Sequence, residues 1–200
     1  MAESPLRLFV AVELPEPVRA ALGGSIEQLR SHLRGPFRWV EPRSIHLTLK
    51  FLGDVGADRV AHVTSALEAA VGGTPPFELR LEGTGVFPTG RAPNVVWAGI
   101  AGDVASLVAL AAAVESAIAG AGEPPETRAY RPHLTLGRVR GRLGGPGVDE
   151  LTRCLSEVTY EGTAPFRVEA VSLMRSELTP GGARHTRMAL APLRGSWATA

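Results

Sequence analysis

The sequence predicts an α+β fold built on antiparallel sheets. Three observations carry this expectation. Short segments rich in β-formers recur between segments of helical period. Several neighbouring strands are joined by connections too short for a parallel crossover. The chain has 200 residues, 44% hydrophobic and 20% charged, which suits one sizeable domain or two small lobes sharing a core.

The elements follow in order. Residues 6–14, LRLFVAVEL, read as a buried strand. Pro15 and Pro17 open a helix, where proline in the first turn is tolerated. Its apolar face is Val18, Leu22, Ile26, Leu29 and Leu33, and Gly35-Pro36 ends it. Residues 37–40 form a short strand and residues 45–52 a clearer one. A second helix spans residues 57–71, with Val60, Val63, Leu67 and Val71 on one face. Pro75-Pro76 prevents it from restarting.

Residues 77–87 and 94–100 are two further strands around a loop at 88–93. Asp103 is the expected N-cap of a helix over 104–119. Residues 120–129 are a loop, 133–139 a strand, and 141–147 a glycine-rich loop. A short helix is expected at 148–155. Strands at 166–178 and 186–193 are joined around Pro180-Gly181-Gly182. The domain is expected to span 1–194, with a loose tail at 195–200.

Composition narrows the partners. The net charge of +1 supplies no bulk positive field for a long duplex and fits contact with a short nucleic-acid end. Twenty arginines stand against one lysine, Lys50, which reads chiefly as compositional bias in a chain rich in Ala, Gly and Pro. The single cysteine, Cys154, rules out an internal disulfide and fits a reducing cytoplasm. The opening residues lack a basic leader followed by a long apolar run, and no apolar stretch is long enough to span a bilayer. A soluble, cytoplasmic protein is therefore expected, and a monomer is the expected state, although nothing in the composition derives it.

One feature carries chemistry. Residues 46–49 and residues 133–136 both read His-Leu-Thr-Leu, each on an expected strand and each in its own half of the chain. Side chains alternate along a strand. His46 and Thr48 thus share one face while Leu47 and Leu49 take the other. The same holds for His133 and Thr135 against Leu134 and Leu136. The leucines can enter a core while two imidazoles and two hydroxyls line a cleft. In-line displacement at a phosphodiester needs a base on the attacking oxygen and an acid on the leaving oxygen. Two histidines supply both. Threonine hydroxyls can donate to the non-bridging oxygens. A lone histidine on a strand is usually structural, and Thr and Leu are ordinary strand residues. It is the matched second copy that turns the pattern into an acid/base pair.

On these residues the chain resembles the 2H phosphoesterases, whose signature is a pair of His-x-Thr/Ser-x motifs with apolar x. It is most similar to the RNA 2′,3′-cyclic phosphodiesterase branch, also called 2′-5′ RNA ligase. RLFVAVELP, HLTLKFLGDV, FPTGRAPNVVWAGI, RPHLTLGRVR and SLMRSELTPGGARHTRMAL carry the likeness, from Leu6 to about Leu193. The resemblance implies a bilobal 2H phosphoesterase fold: two antiparallel sheets flanked by helices, with pseudo-two-fold symmetry around a central cleft. It implies His46 as proton donor, His133 as proton acceptor, and Thr48 and Thr135 as phosphate-contacting hydroxyls. It implies opening of an RNA 2′,3′-cyclic phosphate to a 2′-phosphate, with 2′-5′ ligation as a related reversal.

Secondary candidates are less marked. Family members often carry a basic residue at the position of Arg138, where it can reach phosphate or base. Strand parity places Arg138 opposite His133 unless a bulge intervenes. Parity puts Lys50 on the face of His46, although a surface role suits it better than a ligand role. Phe9, Phe51, Phe87 and Trp97 are candidates for base stacking, against the commoner core role of strand aromatics. Arg91 lies in a loop that can reach a terminal nucleotide. His32 and His62 read as surface residues. His185 stands where relatives carry Tyr.

Other classes fit less well. A zinc hydrolase using His46 and His133 needs a third ligand, usually at local spacing such as HExxH, and none is present. No GxxxxGK[ST] loop occurs, so neither ATP nor any other cofactor is expected. A non-catalytic module binding RNA ends would be expected to lack a motif residue, and both motifs are intact. The cyclic phosphate of a small nucleotide or of ADP-ribose remains an alternative substrate for the same chemistry.

Overall fold

The computed structural model describes residues 4–90, 92–179 and 182–196. Arg91 and the Pro180-Gly181 part of the last turn lie outside the described residues. The strands are β1 (Leu6–Glu13), β2 (Phe37–Trp39), β3 (His46–Val55), β4 (Phe77–Phe87), β5 (Val95–Gly102), β6 (Leu134–Val139), β7 (Phe166–Val168), β8 (Ala170–Thr179) and β9 (Gly182–Pro192). The helices are α1 (Glu16–His32), α2 (Val60–Val71), α3 (Val104–Gly120) and α4 (Gly145–Ser156).

Two antiparallel sheets result, in the orders β3-β1-β8-β9 and β2-β6-β5-β4-β7. The α+β arrangement expected from the short connections is therefore the one formed. Each sheet turns one face to a shared apolar core. Val10, Val12, Leu47 and Leu49 enter it from the first sheet. Leu79, Val96, Leu134 and Leu136 enter it from the second. The helices complete it through Leu22, Ile26 and Leu29 of α1, Leu67 of α2, Leu107 and Leu110 of α3, and Leu151 of α4. Asp103 caps α3 as expected, accepting from the Ser106 backbone N–H at 3.0 Å.

Several boundaries differ from expectation: β3 runs on to Val55, α2 begins at Val60 and β9 begins at Gly182, and three further differences have a clear physical origin. The strand expected over 166–178 is divided at Glu169: β7 pairs with β4 in the second sheet, and β8 pairs with β1 in the first. The segment crosses between sheets, and hydrophobic alternation cannot record a change of partner. Helix α4 begins at Gly145 rather than 148, because Pro146 occupies its first turn, where a missing N–H costs nothing. The tail is tied down at its start. Gly195 N–H donates to the Thr74 carbonyl at 3.0 Å. Residues 197–200 lie outside the described residues.

Candidate active site

The two repeated tetrapeptides are placed alike. His46, Leu47, Thr48 and Leu49 open β3, while Leu134, Thr135 and Leu136 open β6 with His133 just before it. The leucines are buried, and His46, Thr48, His133 and Thr135 are half-buried. The strands β3 and β6, which carry the motifs, approach within 8 Å at Cα where the two sheets meet.

The imidazoles are oriented by the same device. His46 Nδ1 lies 2.9 Å from the Ser44 carbonyl, and His133 Nδ1 lies 2.7 Å from the Arg131 carbonyl. A carbonyl can only accept, so each Nδ1 carries the proton and each Nε2 is left for chemistry. In both motifs the partner is two residues upstream, a symmetry the tetrapeptides alone do not display. Neither Thr48 nor Thr135 has a side-chain hydrogen bond among the described residues. Both hydroxyls remain able to donate to a ligand.

A bulge falls at the last residue of each motif. In the β1–β3 ladder the register passes from Ala11↔Thr48 to Val10↔Lys50, skipping Leu49. In the β5–β6 ladder it passes from Trp97↔Thr135 to Val96↔Gly137, skipping Leu136. One inserted residue reverses the parity beyond it. Lys50 and Gly137 therefore turn to the core face, and Phe51 and Arg138 turn to the cleft face. Lys50 thus shares neither the face of His46 nor the surface. Its side chain is fully buried, donating to Glu115 Oε2 at 2.7 Å and to the Pro124 carbonyl at 3.0 Å. Glu115 Oε1 accepts from the Glu126 N–H at 3.0 Å. The first motif's strand thereby holds the loop that leads into the second motif. Gly137 has no side chain because Trp39 fills that space, and a Cβ there would stand 2.7 Å from the indole. Arg138 is exposed, on the face of Thr135.

The aromatic candidates divide. Phe9 is buried under His46, with rings stacked at 4.5 Å. Phe87 packs edge-on against His133 at 5.2 Å, lies 5.1 Å from Trp97, and carries Arg131 over its face at 5.7 Å. Phe51 alone of the four is widely open, at 61% exposure. His32 and His62 are exposed on their helices, as expected.

His185, on β9, is the site residue that motif reasoning missed. Its ring meets those of His46 and Phe9 edge-on, each at 5.0 Å, and its Nδ1 is buried without a hydrogen bond. It arrives through two strand pairings and a bulge, and no local spacing announces that path. Glu13 is the ladder partner of His46 and accepts hydrogen bonds from Ser172 and Arg187.

Burial, and then the nearby His185, push the His46 pKa down from 6.5 to about 4. The Ser44 carbonyl and Glu13 oppose the shift with smaller effect. His46 is thus neutral in the free protein at neutral pH. A kcat/KM profile reports free-enzyme ionisations, so it is expected to bend near pH 4 rather than 6.5. His185→Ala removes a repelling charge and part of the cover, and both changes raise the His46 pKa. The bend should move towards higher pH, and a bend that stays or moves lower contradicts this coupling.

Residues 14–180 match the 2′-5′ RNA ligase superfamily. The chain is 36% identical over 183 residues to the RNA 2′,3′-cyclic phosphodiesterase of Methanothermobacter thermautotrophicus, covering 92% of this chain and 96% of that protein. It is 35% identical over 206 residues to the protein of that name from Thermus thermophilus, covering 95% and 91%. Among solved structures, TT0787 of Thermus thermophilus superposes with a TM-score of 0.77 at 30% identity, covering 96% of this chain and all of that one. E. coli LigT complexed with 3′-AMP superposes with a TM-score of 0.70 at 27% identity, covering 94% and 98%. Matched motifs on matched bulged strands, and likeness across nearly the whole chain, make this protein a member of the 2′-5′ RNA ligase superfamily.

Proposed function

We propose that this chain hydrolyses the 2′,3′-cyclic phosphate at the end of an RNA, as an RNA 2′,3′-cyclic phosphodiesterase. The observation that carries the reading is the paired His-x-Thr arrangement, with each Nδ1 held by the carbonyl two residues upstream and each Nε2 free. Its likeness to the RNA 2′,3′-cyclic phosphodiesterases of Methanothermobacter thermautotrophicus and Thermus thermophilus supports the substrate.

The reaction is an in-line displacement. His133 Nε2 takes a proton from water as the water oxygen bonds to phosphorus. The bond from phosphorus to O3′ breaks, and His46 Nε2 delivers a proton to O3′, leaving a 2′-phosphate and a 3′-hydroxyl. Thr48 and Thr135 donate to the non-bridging oxygens, with Arg138 adding positive charge beside Thr135. The donor role needs a protonated His46, and the bound phosphate anion supplies the opposite charge that raises its pKa. The bend in kcat should then lie above that in kcat/KM. A 5′-hydroxyl in place of water would form a 2′-5′ bond. The cyclic ester itself stores the free energy for that step, and no nucleotide cofactor enters.

Phe51 is the platform for the terminal base, because it is an open aromatic on the motif face of β3. Phe51→Ala is expected to raise KM for a cyclic-ended oligonucleotide about tenfold, in line with a stacking energy of about 1–3 kcal/mol, with kcat little changed. An unchanged KM would remove Phe51 from the site.

The chain acts as a monomer in the cytoplasm on this reading. Among the described residues no helix is long and apolar enough to cross a membrane. The test of the reading is turnover of 2′,3′-cyclic-ended RNA. Activity confined to small cyclic nucleotides or to a cyclic phosphate of ADP-ribose would replace the substrate and keep the mechanism.

A further inference from the structure

The bulge in β6 has a second consequence, on the neighbouring edge strand. Arg38 of β2 is the direct ladder partner of Arg138. Trp39 faces Gly137 on the core side, so the residue before it, Arg38, shares the cleft face of Arg138 and Thr135. The Val40 N–H donates to the Leu136 carbonyl and the Arg140 N–H to the Pro36 carbonyl. Arg38 and Arg138 lie between these pairs, two residues from each, and so form a close hydrogen-bonded pair with Cα atoms about 5.5 Å apart. Like charges directly opposite on a sheet repel. Neither guanidinium has a hydrogen bond or ion pair among the described residues, and both side chains are exposed.

The pair stands two ladder steps from Thr135, about 7 Å along the strand. At the free edge of β2, Arg30, Arg34 and Arg38 border a concavity of about 500 Å³ with Phe37 and Trp39. The corresponding place on the first sheet holds Phe51, an aromatic, so the two halves differ at the position after the bulge.

We propose that Arg38 and Arg138 form a second phosphate subsite, which takes the phosphodiester on the 5′ side of the cyclic nucleotide. The inference rests on the RNA-end reading above and deepens it. An anion between the two guanidiniums removes their repulsion and accepts charge-assisted hydrogen bonds from both. The terminal base then lies towards Phe51, and the rest of the strand leaves across β6 and β2. The protein thereby favours an RNA end over a free cyclic mononucleotide.

The test compares kcat/KM for 2′,3′-cyclic AMP with that for an oligoadenylate ending in a 2′,3′-cyclic phosphate. The wild-type protein should favour the oligoadenylate. Arg38→Gln should lower kcat/KM for the oligoadenylate about tenfold, the scale of a hydrogen bond to a charged group, and affect the mononucleotide less than twofold. It should also make the salt dependence for the oligoadenylate shallower, by about 0.7 in the log–log slope. Arg38→Lys keeps the charge and should recover part of the loss. An unchanged ratio between the two substrates in Arg38→Gln, or an equal loss on both, overturns the subsite while leaving the cyclic-phosphate reading in place. A wild-type protein that turns over neither substrate removes that reading, and the subsite with it.

Discussion

Replacing either His46 or His133 with alanine is expected to lower kcat roughly a hundred- to ten-thousand-fold, the range of a single acid or base. In the proposed mechanism each imidazole is a necessary half of one displacement. Losing the acid leaves O3′ to depart as an alkoxide, and losing the base leaves water as a poor nucleophile. The two losses should not multiply, because a site deprived of one partner gains little from the other. The fold should survive both changes. Each ring has its one hydrogen bond to a local carbonyl, and neither belongs to the apolar core. Single-turnover rates on a 2′,3′-cyclic-ended oligonucleotide, alongside circular dichroism, check both parts. Near-wild-type turnover in either variant contradicts the two-histidine mechanism.

The largest effect on stability is expected at Glu115→Ala. Lys50 is fully buried, and Glu115 is its only counter-charge among the described residues, while the Glu115 side chain is 30% exposed. Removing the carboxylate leaves an ammonium in the core with the Pro124 carbonyl alone, and breaking a buried pair in this way costs about 3–5 kcal/mol. For a chain of this length the melting temperature should fall by about 10 °C. Lys50→Met removes the buried charge itself and leaves Glu115 near water, still accepting from the Glu126 N–H. It should cost clearly less. The order of the two melting temperatures is the check, and Lys50→Met as the more damaging change would contradict this account of the network. Glu115→Ala also frees the loop before His133, so kcat should fall well below the melting point.

Much of this was legible in the sequence, for physical reasons. The tetrapeptide His46–Leu49 opens one strand and Leu134–Leu136 opens another with His133 just before it, and alternation sends leucine and His-Thr to opposite faces over such short spans. The core helices were legible from spacing, since Val63, Leu67 and Val71 repeat at one turn. Parity failed where the backbone departs from alternation. Simple alternation returns Lys50 to the face of His46, but the extra residue at Leu49 turns it inward. The same device returns Arg138 to the cleft, an outcome for which sequence could only leave room. His185 and Arg38 were not legible as site neighbours. Each reaches its place through pairing with a strand distant in sequence, and long-range register has no local signature. Glu169 illustrates the same limit at the level of the fold, where one apolar run serves two sheets.

The most direct test of the central claim is a product assay on an oligonucleotide with a 2′,3′-cyclic end, run in excess EDTA and resolving 2′- from 3′-phosphate. Two histidines acting as acid and base, with His46 serving O3′, predict an undiminished rate and a 2′-phosphate product. Activity abolished by EDTA and restored by zinc, or a product carrying the 3′-phosphate, would contradict it.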